Sequence, residues 1–577
     1  MSTDRSIMQR LWHRLCPRPA APRLAPAAWA FLLVVAALLL APGVATIPPM
    51  DRDESRYAQA SRQMLETGDL VDIRFQEDAR HVKPAGTYWL QASSAALFGG
   101  AEAPIGAYRL PSLLAAIGAV LLTAWFGART FGAAVGLTAA LLLASSLVLQ
   151  VEARTAKTDA LLLLAVLTGQ IALARIALRA SGEPPRFFGA PLVFWAAQAL
   201  GVLIKGPIIL LVAGTTALAF GLWQRDRALA SRLRILPGLA VMLALAAPWL
   251  VLITLQEGVA FYEQALGRAL FSKVGEGQEG HGAPFGFHAA ILPLTFWPGA
   301  LLLVPGILAA WYGRREPAVR FLVAWVVPTW VVFEAVATKL PHYTLPTFPA
   351  IALLMALGLR DAAALIGTGW RRRVHLALAS LVAVVAVALA AVPAVAAFVV
   401  GTDGWVQAVA VLATLAGLAV AVAGFRLARQ PSSGRLVAVV LLTAAFYAPT
   451  FHIVLPGTHA IWPSARVADH LARVEGCDRL RVTTAGFREP SNVFLLGTDT
   501  LLATSGEEAA RFLLANPTCG VAVVDRRQRD GFEATLDAQG VTTRSLATVT
   551  GTNISNGRDL ELDLLVLAGS PLYLATP

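Results

Sequence analysis

From Ala27 to Leu455 the chain alternates between long apolar runs and short polar connections. The runs fall at approximately 27–47, 105–127, 133–150, 160–178, 190–204, 207–222, 236–254, 289–311, 319–337, 344–359, 375–399, 405–424 and 436–455. They are continuous and dominated by Leu and Ala, without the alternation over about ten residues that barrel strands need. The pattern predicts a polytopic α-helical membrane protein with about thirteen transmembrane helices.

The polar connections orient this bundle. The first 25 residues carry Arg5, Arg10, Arg14, Arg18 and Arg23 against one acid, Asp4, which places the start on the cytoplasmic side. Alternating the runs from there puts Arg129, Ser181–Arg186, Arg225–Arg234, Arg314–Arg320, Arg371–Arg373 and Arg426–Arg435 on the same side. The count and the arginine distribution therefore agree. Loops 48–104, 151–159, 255–288 and 338–343, with everything after about residue 456, fall on the opposite side. The first run precedes PGVATIPPMDRDE, which contains no obvious cleavage site, and is expected to be a retained span.

After residue 455 the pattern changes. LRVTTAG, SNVFLLG, CGVAVVD and LELDLLVLAG have strand-like composition, and EEAARFLLA reads as a helix between them. Residues 456–577 are thus expected to form an outer α/β domain, with residues 1–455 as the membrane domain.

Composition sharpens the class. The chain of 577 residues is 56% hydrophobic and 14% charged, and its formal net charge of +11 comes from arginines in short loops. That distribution argues for membrane topology and against nucleic acid as a partner. Cys16, Cys477 and Cys519 show no metal or redox spacing, although Cys477 and Cys519 can pair in an oxidising compartment.

Only five of the 47 basic residues are lysines: Lys83, Lys157, Lys205, Lys273 and Lys339. All lie on or beside the outer face, in RHVKPAGTYW, ARTAKTDALL, LIKGPI, LFSKVGEG and ATKLPHY, and several of them are expected to serve one anionic site. The same junctions carry Asp53, Glu54, Arg56 and Tyr57, then Glu152, Arg154 and Asp159, then Tyr262, Glu263, Arg268, Glu276, Glu279 and His281, then His342 and Tyr343. Ionisable residues at membrane depth face a cavity or one another, so an outward-opening cavity is expected. With no nucleotide-binding sequence evident, an activated group would arrive on a lipid phosphate. Lysines and arginines would stabilise the charge building on that phosphate as its bond breaks. A carboxylate such as Asp53 would orient or deprotonate the nucleophile. The competing role for Asp53 is helix capping, and for Lys83 it is snorkelling.

RDESRYAQASRQMLETGD, KPAGTYWL, EARTAKTDALL, KGP and KLPHYTLPTFPAIALL, in this order, resemble the lipid-dependent glycosyltransferases of the ArnT/protein-mannosyltransferase superfamily. The resemblance is greatest to the aminoarabinose transferases that modify lipid A. It implies a GT-C fold with short helices in the first outer loop, at the bacterial inner membrane. It also implies transfer of a sugar from an undecaprenyl-phosphate carrier to a lipid A phosphate at the periplasmic face. By the same comparison Asp53 and Asp159 match the catalytic acids, Lys83 and Arg268 match donor-phosphate contacts, and Tyr343 matches a late-loop aromatic. Tyr57 and Tyr88 become cavity linings, and Arg56 and Lys205 further substrate contacts.

Two departures bear on the sugar. A double proline is expected after the first-loop lysine, where this chain has Lys83-Pro84-Ala85, and FYEQALGRALFSKVGEGQEGHGAPFGFH lacks the His-bearing acidic signature of the aminoarabinose enzymes. Galacturonic acid or a hexose is the alternative donor sugar. A divalent metal is a possible cofactor, with Glu263, His281 and His342 as candidate ligands and Glu279 beside them, although their spacing fits no standard ligand pattern. Trp89, Trp249, Trp297 and Trp462 are expected to be interface anchors. A transporter or flippase is the rival class, but no internal repeat is evident and the charges concentrate at one surface. The expected form is a monomer.

Overall fold

A computed structural model describes residues 7–179, 186–265 and 282–575. Each apolar run is helical. Seven helices are long and apolar enough to cross a membrane alone: Ile105–Phe131, Asp159–Ala177, Ile235–Glu257, Pro317–Ala335, Trp370–Val400, Gly404–Arg429 and Ser433–Gly457. Four shorter apolar helices, Pro26–Leu40, Ala190–Lys205, Ile208–Gln224 and Leu345–Arg360, pack among them.

The remaining two runs are not simple spans. Ala133–Ser145 and Leu147–Ala153 meet at a 66° bend, and Phe287–Thr295 and Gly299–Tyr312 meet at 112°. At the first bend Ser146 is extended (φ −64°, ψ 133°), and its hydroxyl donates to the Leu143 carbonyl at 2.8 Å, replacing a helical amide donor. The bend swings Leu147–Ala153, and with it Glu152, across the bundle towards the outer junctions. Small residues set the packing nearby. A Cβ on Gly136 would lie 2.4 Å from the Ala124 carbonyl oxygen, so only glycine lets helices Ile105–Phe131 and Ala133–Ser145 approach this closely.

Loop 48–104 contains helix Asp53–Thr67, a short hairpin of β1 (Arg74–Phe75) and β2 (Asp78–Ala79), and helix Gly86–Leu97. Asp53 and Glu54 occupy the first helical turn, where carboxylates favour the exposed amides, so Asp53 is inside the helix and not its cap. Trp249 donates to the Val71 carbonyl at 3.1 Å, pinning the loop to the bundle, and Trp89 donates to the Leu70 carbonyl at 2.7 Å within the loop. Trp249, Trp297 and Trp462 are buried in protein, contrary to their expected role as interface anchors. Their indoles fill gaps between elements where the sequence suggests only a span end.

The C-terminal unit has a short pair of β3 (Val474–Glu475) with β9 (Tyr573–Leu574) and a five-stranded sheet. The sheet strands are β4 (Arg481–Ala485), β5 (Leu501–Ala503), β6 (Gly520–Asp525), β7 (Thr543–Asn553) and β8 (Arg558–Leu567), in the order β5-β4-β6-β8-β7. β4 runs parallel to β5 and β6, and β8 antiparallel to β6 and β7. Val521 and Val523 face one core with Val467, while Ala522 and Val524 face another with Ala509, Leu513 and Phe532. Burial on both faces explains the continuous apolar run of CGVAVVD. Cys477 and Cys519 are joined by a disulfide, with 5.8 Å between their Cα atoms.

SNVFLLG is a correction. It forms helix Pro490–Leu496, begun by Pro490 in its first turn and stopped at Gly497 (φ 119°), because its apolar residues pack between the sheet and loop 48–104. The loop docks there through Arg62, which donates to the Phe494 carbonyl at 2.9 Å, and Gln59, which donates to the Thr498 hydroxyl at 2.6 Å.

Candidate active site

Asp159 opens helix Asp159–Ala177 and Lys205 closes helix Ala190–Lys205. An acid at a helix N-terminus and a base at a C-terminus each oppose the local dipole, and the two ends meet: Lys205 Nζ lies 2.5 Å from Asp159 Oδ1. Gly206 turns the chain away at φ +71°, a conformation that suits glycine.

Around this pair the bent segment contributes Glu152 and the following turn Lys157, which are 3.3 Å apart. Loop 336–344 contributes His342, whose Nδ1 faces Glu152 Oε1 at 3.5 Å and whose Nε2 faces Asp159 Oδ1 at 3.6 Å. Tyr343 follows, its ring 5.7 Å from Lys205 Nζ. Burial pushes the His342 imidazole down to about 3, helped by Lys157 and Lys205 and opposed by Asp159 and Asp53, so at neutral pH the ring is uncharged. Burial disfavours the Lys157 ammonium, but Glu152, Asp159 and Asp53 outweigh it and hold its pKa above the ordinary lysine range. Glu152 is buried and its Oε2 has no hydrogen-bond partner.

Loop 48–104 covers the cluster. Asp53 is exposed, with Arg80 3.9 Å away. Arg80 lies over the Tyr57 ring at 5.1 Å, and Tyr57 stacks on Tyr88 at 5.1 Å between centroids. Burial raises both phenols above their usual range, so they stay neutral. Arg56 and Lys83 are half-buried, Arg56 on the Asp53 helix and Lys83 just before helix Gly86–Leu97.

The adjacent Glu54 does something different. Arg109 grips it through two 2.7 Å hydrogen bonds, and the amides of Met50 (2.9 Å) and Ala156 (2.7 Å) donate to it. Arg109 also donates to the carbonyls of Val44, Ile47 and Pro48. This fully buried knot fixes the exit from the first apolar helix and thereby the position of Asp53. Arg154 is likewise a fastener, donating to the carbonyls of Leu39, Pro42 and Gln150. Lys339 donates to the Val336 carbonyl at 2.6 Å.

Asp53, Tyr57, Tyr88, Asp159, Lys205, His342 and Tyr343 thus gather from distant parts of the chain. Arg268, Lys273 and His281 lie outside the described residues. Among the described residues, Glu263 is exposed and His342 has Glu152 and Asp159 as its carboxylate neighbours. The bend at Ser146 decides this, by carrying Glu152 to the histidine. Ligand atoms of Glu152, Asp159 and His342 fall within 4.8 Å of one another and could hold a cation in place of the lysine ammoniums. A second trio, Asp72, His81 and Glu257, is bridged by Arg74, 2.5 Å from Asp72 and 3.6 Å from Glu257. Arg80, absent from the sequence-based candidates, stands three residues before Lys83 in the same motif.

This arrangement of helices, covering loop and outer sheet can be set beside known proteins. Residues 82–252 match the family described as dolichyl-phosphate-mannose-protein mannosyltransferase. An undecaprenyl phosphate-alpha-4-amino-4-deoxy-L-arabinose arabinosyl transferase of Pseudomonas paraeruginosa is 32% identical over 373 residues, 60% of this chain and 64% of the relative. One of Aeromonas hydrophila is 28% identical over 316 residues, 54% of this chain and 56% of the relative. The chain therefore spans less than two thirds of the length of these relatives. The crystal structure of ArnT from Cupriavidus metallidurans bound to undecaprenyl phosphate superposes with a TM-score of 0.72 at 18% identity, covering 96% of this chain and 100% of that one. Its apo form gives 0.69 at 19% identity, with 93% and 98% covered. The fold is that of these ArnT structures, a multi-pass helical membrane protein. In sequence the chain is similar to the aminoarabinose transferases over part of its length.

Proposed function

We propose that this chain is a polyprenyl-phosphate-sugar glycosyltransferase that moves 4-amino-4-deoxy-L-arabinose from an undecaprenyl-phosphate carrier to a phosphate of lipid A, at the periplasmic face of the bacterial inner membrane. The observation that carries the reading is the convergence of Asp53 and Arg80 of loop 48–104 with Lys157, Asp159 and Lys205 of the bundle, in a fold like that of ArnT. An acceptor oxygen attacks the anomeric carbon, the bond from that carbon to the carrier phosphate breaks, and undecaprenyl phosphate leaves with the bonding electrons. Lys83, Arg268 and Lys205 hold and neutralise that phosphate. Tyr57, Tyr88 and Tyr343 wall the sugar, and Arg56 supports the loop. With an ionised acceptor phosphate no base is needed and Asp53 orients the donor; with a hydroxyl acceptor Asp53 takes its proton. In this reading all thirteen apolar segments cross the membrane, the N-terminal arginines are cytoplasmic and the C-terminal sheet is periplasmic.

The test is incubation of the purified chain with undecaprenyl-phosphate aminoarabinose and lipid A in liposomes. Mass spectrometry should show one pentosamine added per modified phosphate and a matching amount of undecaprenyl phosphate released. Transfer from a galacturonic acid donor alone would replace the sugar assignment. Movement of the donor across the bilayer without transfer would replace the enzyme by a flippase.

A further inference from the structure

Helices Asp159–Ala177 and Ala190–Lys205 are antiparallel, and their charged ends Asp159 and Lys205 build the site described above. At 1.5 Å per residue the 19-residue helix Asp159–Ala177 is roughly 28 Å long, about the thickness of the hydrocarbon core. The far ends of both helices therefore meet the opposite membrane surface. There they enclose a cavity of about 380 Å3, lined by Arg175, Arg179, Arg186 and Arg232, with Phe188 at its edge.

This pocket has the chemistry of an anion site and the surroundings of a lipid site. Four guanidiniums from three segments share it, and among the described residues Asp226 pairs with Arg232. Arg232 Nε is buried and has no hydrogen-bond partner. Guanidinium forks match phosphate oxygens two at a time. Phe188 is 89% exposed and Leu236, close in sequence to Arg232, is 82% exposed, so apolar side chains stand beside the guanidiniums. Basic pockets between helix ends on the arginine-rich side are suited to anionic head groups.

We propose that this cavity binds the phosphate-bearing head group of an anionic phospholipid from the leaflet opposite the active site. The bound head group clamps the ends of the two helices whose other ends carry Asp159 and Lys205.

The test uses the purified full chain in neutral detergent, titrated separately with phosphatidylglycerol, phosphatidylcholine and inorganic phosphate, with thermal unfolding and native mass spectrometry as readouts. Phosphatidylglycerol should raise the unfolding midpoint and remain bound, while phosphatidylcholine and inorganic phosphate should do neither. Arg175→Gln with Arg186→Gln should weaken phosphatidylglycerol binding about tenfold or more, at an unchanged midpoint without lipid. Arg186→Gln alone, at an exposed position, serves if the double variant folds poorly, and should weaken binding severalfold. Equal phosphatidylglycerol binding by wild type and variants would overturn the proposal, as would an equal midpoint shift with inorganic phosphate or phosphatidylcholine.

Discussion

Lys205 Nζ lies 2.5 Å from Asp159 Oδ1, with both side chains buried, although the two residues are 46 positions apart. Each is the terminal residue of its helix, so the pair both closes the helix packing and supplies charge to the candidate site. Removing one partner of a buried pair strands the other charge at a cost of about 3–5 kcal/mol. Asp159→Asn and Lys205→Gln should each lower the unfolding midpoint and abolish transfer. The double variant should be more stable than the sum of the two losses implies, by about 0.5–3 kcal/mol in a double-mutant cycle.

Asp53 and Glu54 are neighbours with opposite expected phenotypes. Asp53 is exposed beside Arg80, and Asp53→Asn should cut turnover by about 10²–10⁴-fold at an unchanged unfolding midpoint, as measured by sugar transfer and differential scanning fluorimetry.

Glu54 accepts hydrogen bonds from Arg109, Met50 and Ala156 in a fully buried setting. Glu54→Ala should destabilise by about 3–5 kcal/mol, since it leaves the Arg109 guanidinium uncompensated. The expected outcome is a lower midpoint and poor recovery from the membrane, not a folded enzyme with slow chemistry.

Asp51 gives the outer contact a pH dependence. Its carboxylate accepts the Ser491 amide at 3.3 Å, and burial, assisted by Glu489, pushes its pKa up to about 7 against the lowering effects of Ser491 and Arg52. The folded state therefore holds a proton that the unfolded chain releases near pH 3.8. Between those values the folded state binds more protons, so stability falls as pH rises towards 7. Asp51→Asn, which keeps the acceptor and lacks the charge, should raise the unfolding midpoint at pH 8 and leave it unchanged at pH 4.

The Cys477–Cys519 disulfide closes a 42-residue separation within the C-terminal unit. Its removal by Cys477→Ser with Cys519→Ser should cost that unit about 2–4 kcal/mol, seen as faster hydrogen exchange in β4 and β6.

The apolar runs, read alone, determined where the helices lie, because burial of a segment in hydrocarbon depends on its own composition. Likewise the junction motifs brought Asp53, Asp159 and Lys205 into view, since charges at membrane depth are costly wherever they occur. Local composition could not say which charge meets which. Glu54 and Asp53 look alike in RDESRY, but only the fold sends one to Arg109 and leaves the other exposed. His342 meets Glu152 because a bend at Ser146 redirects a helix, and SNVFLLG becomes a helix because it must dock between a sheet and a loop. Pairings of this kind depend on side chains tens to hundreds of residues apart, and only tertiary packing decides them.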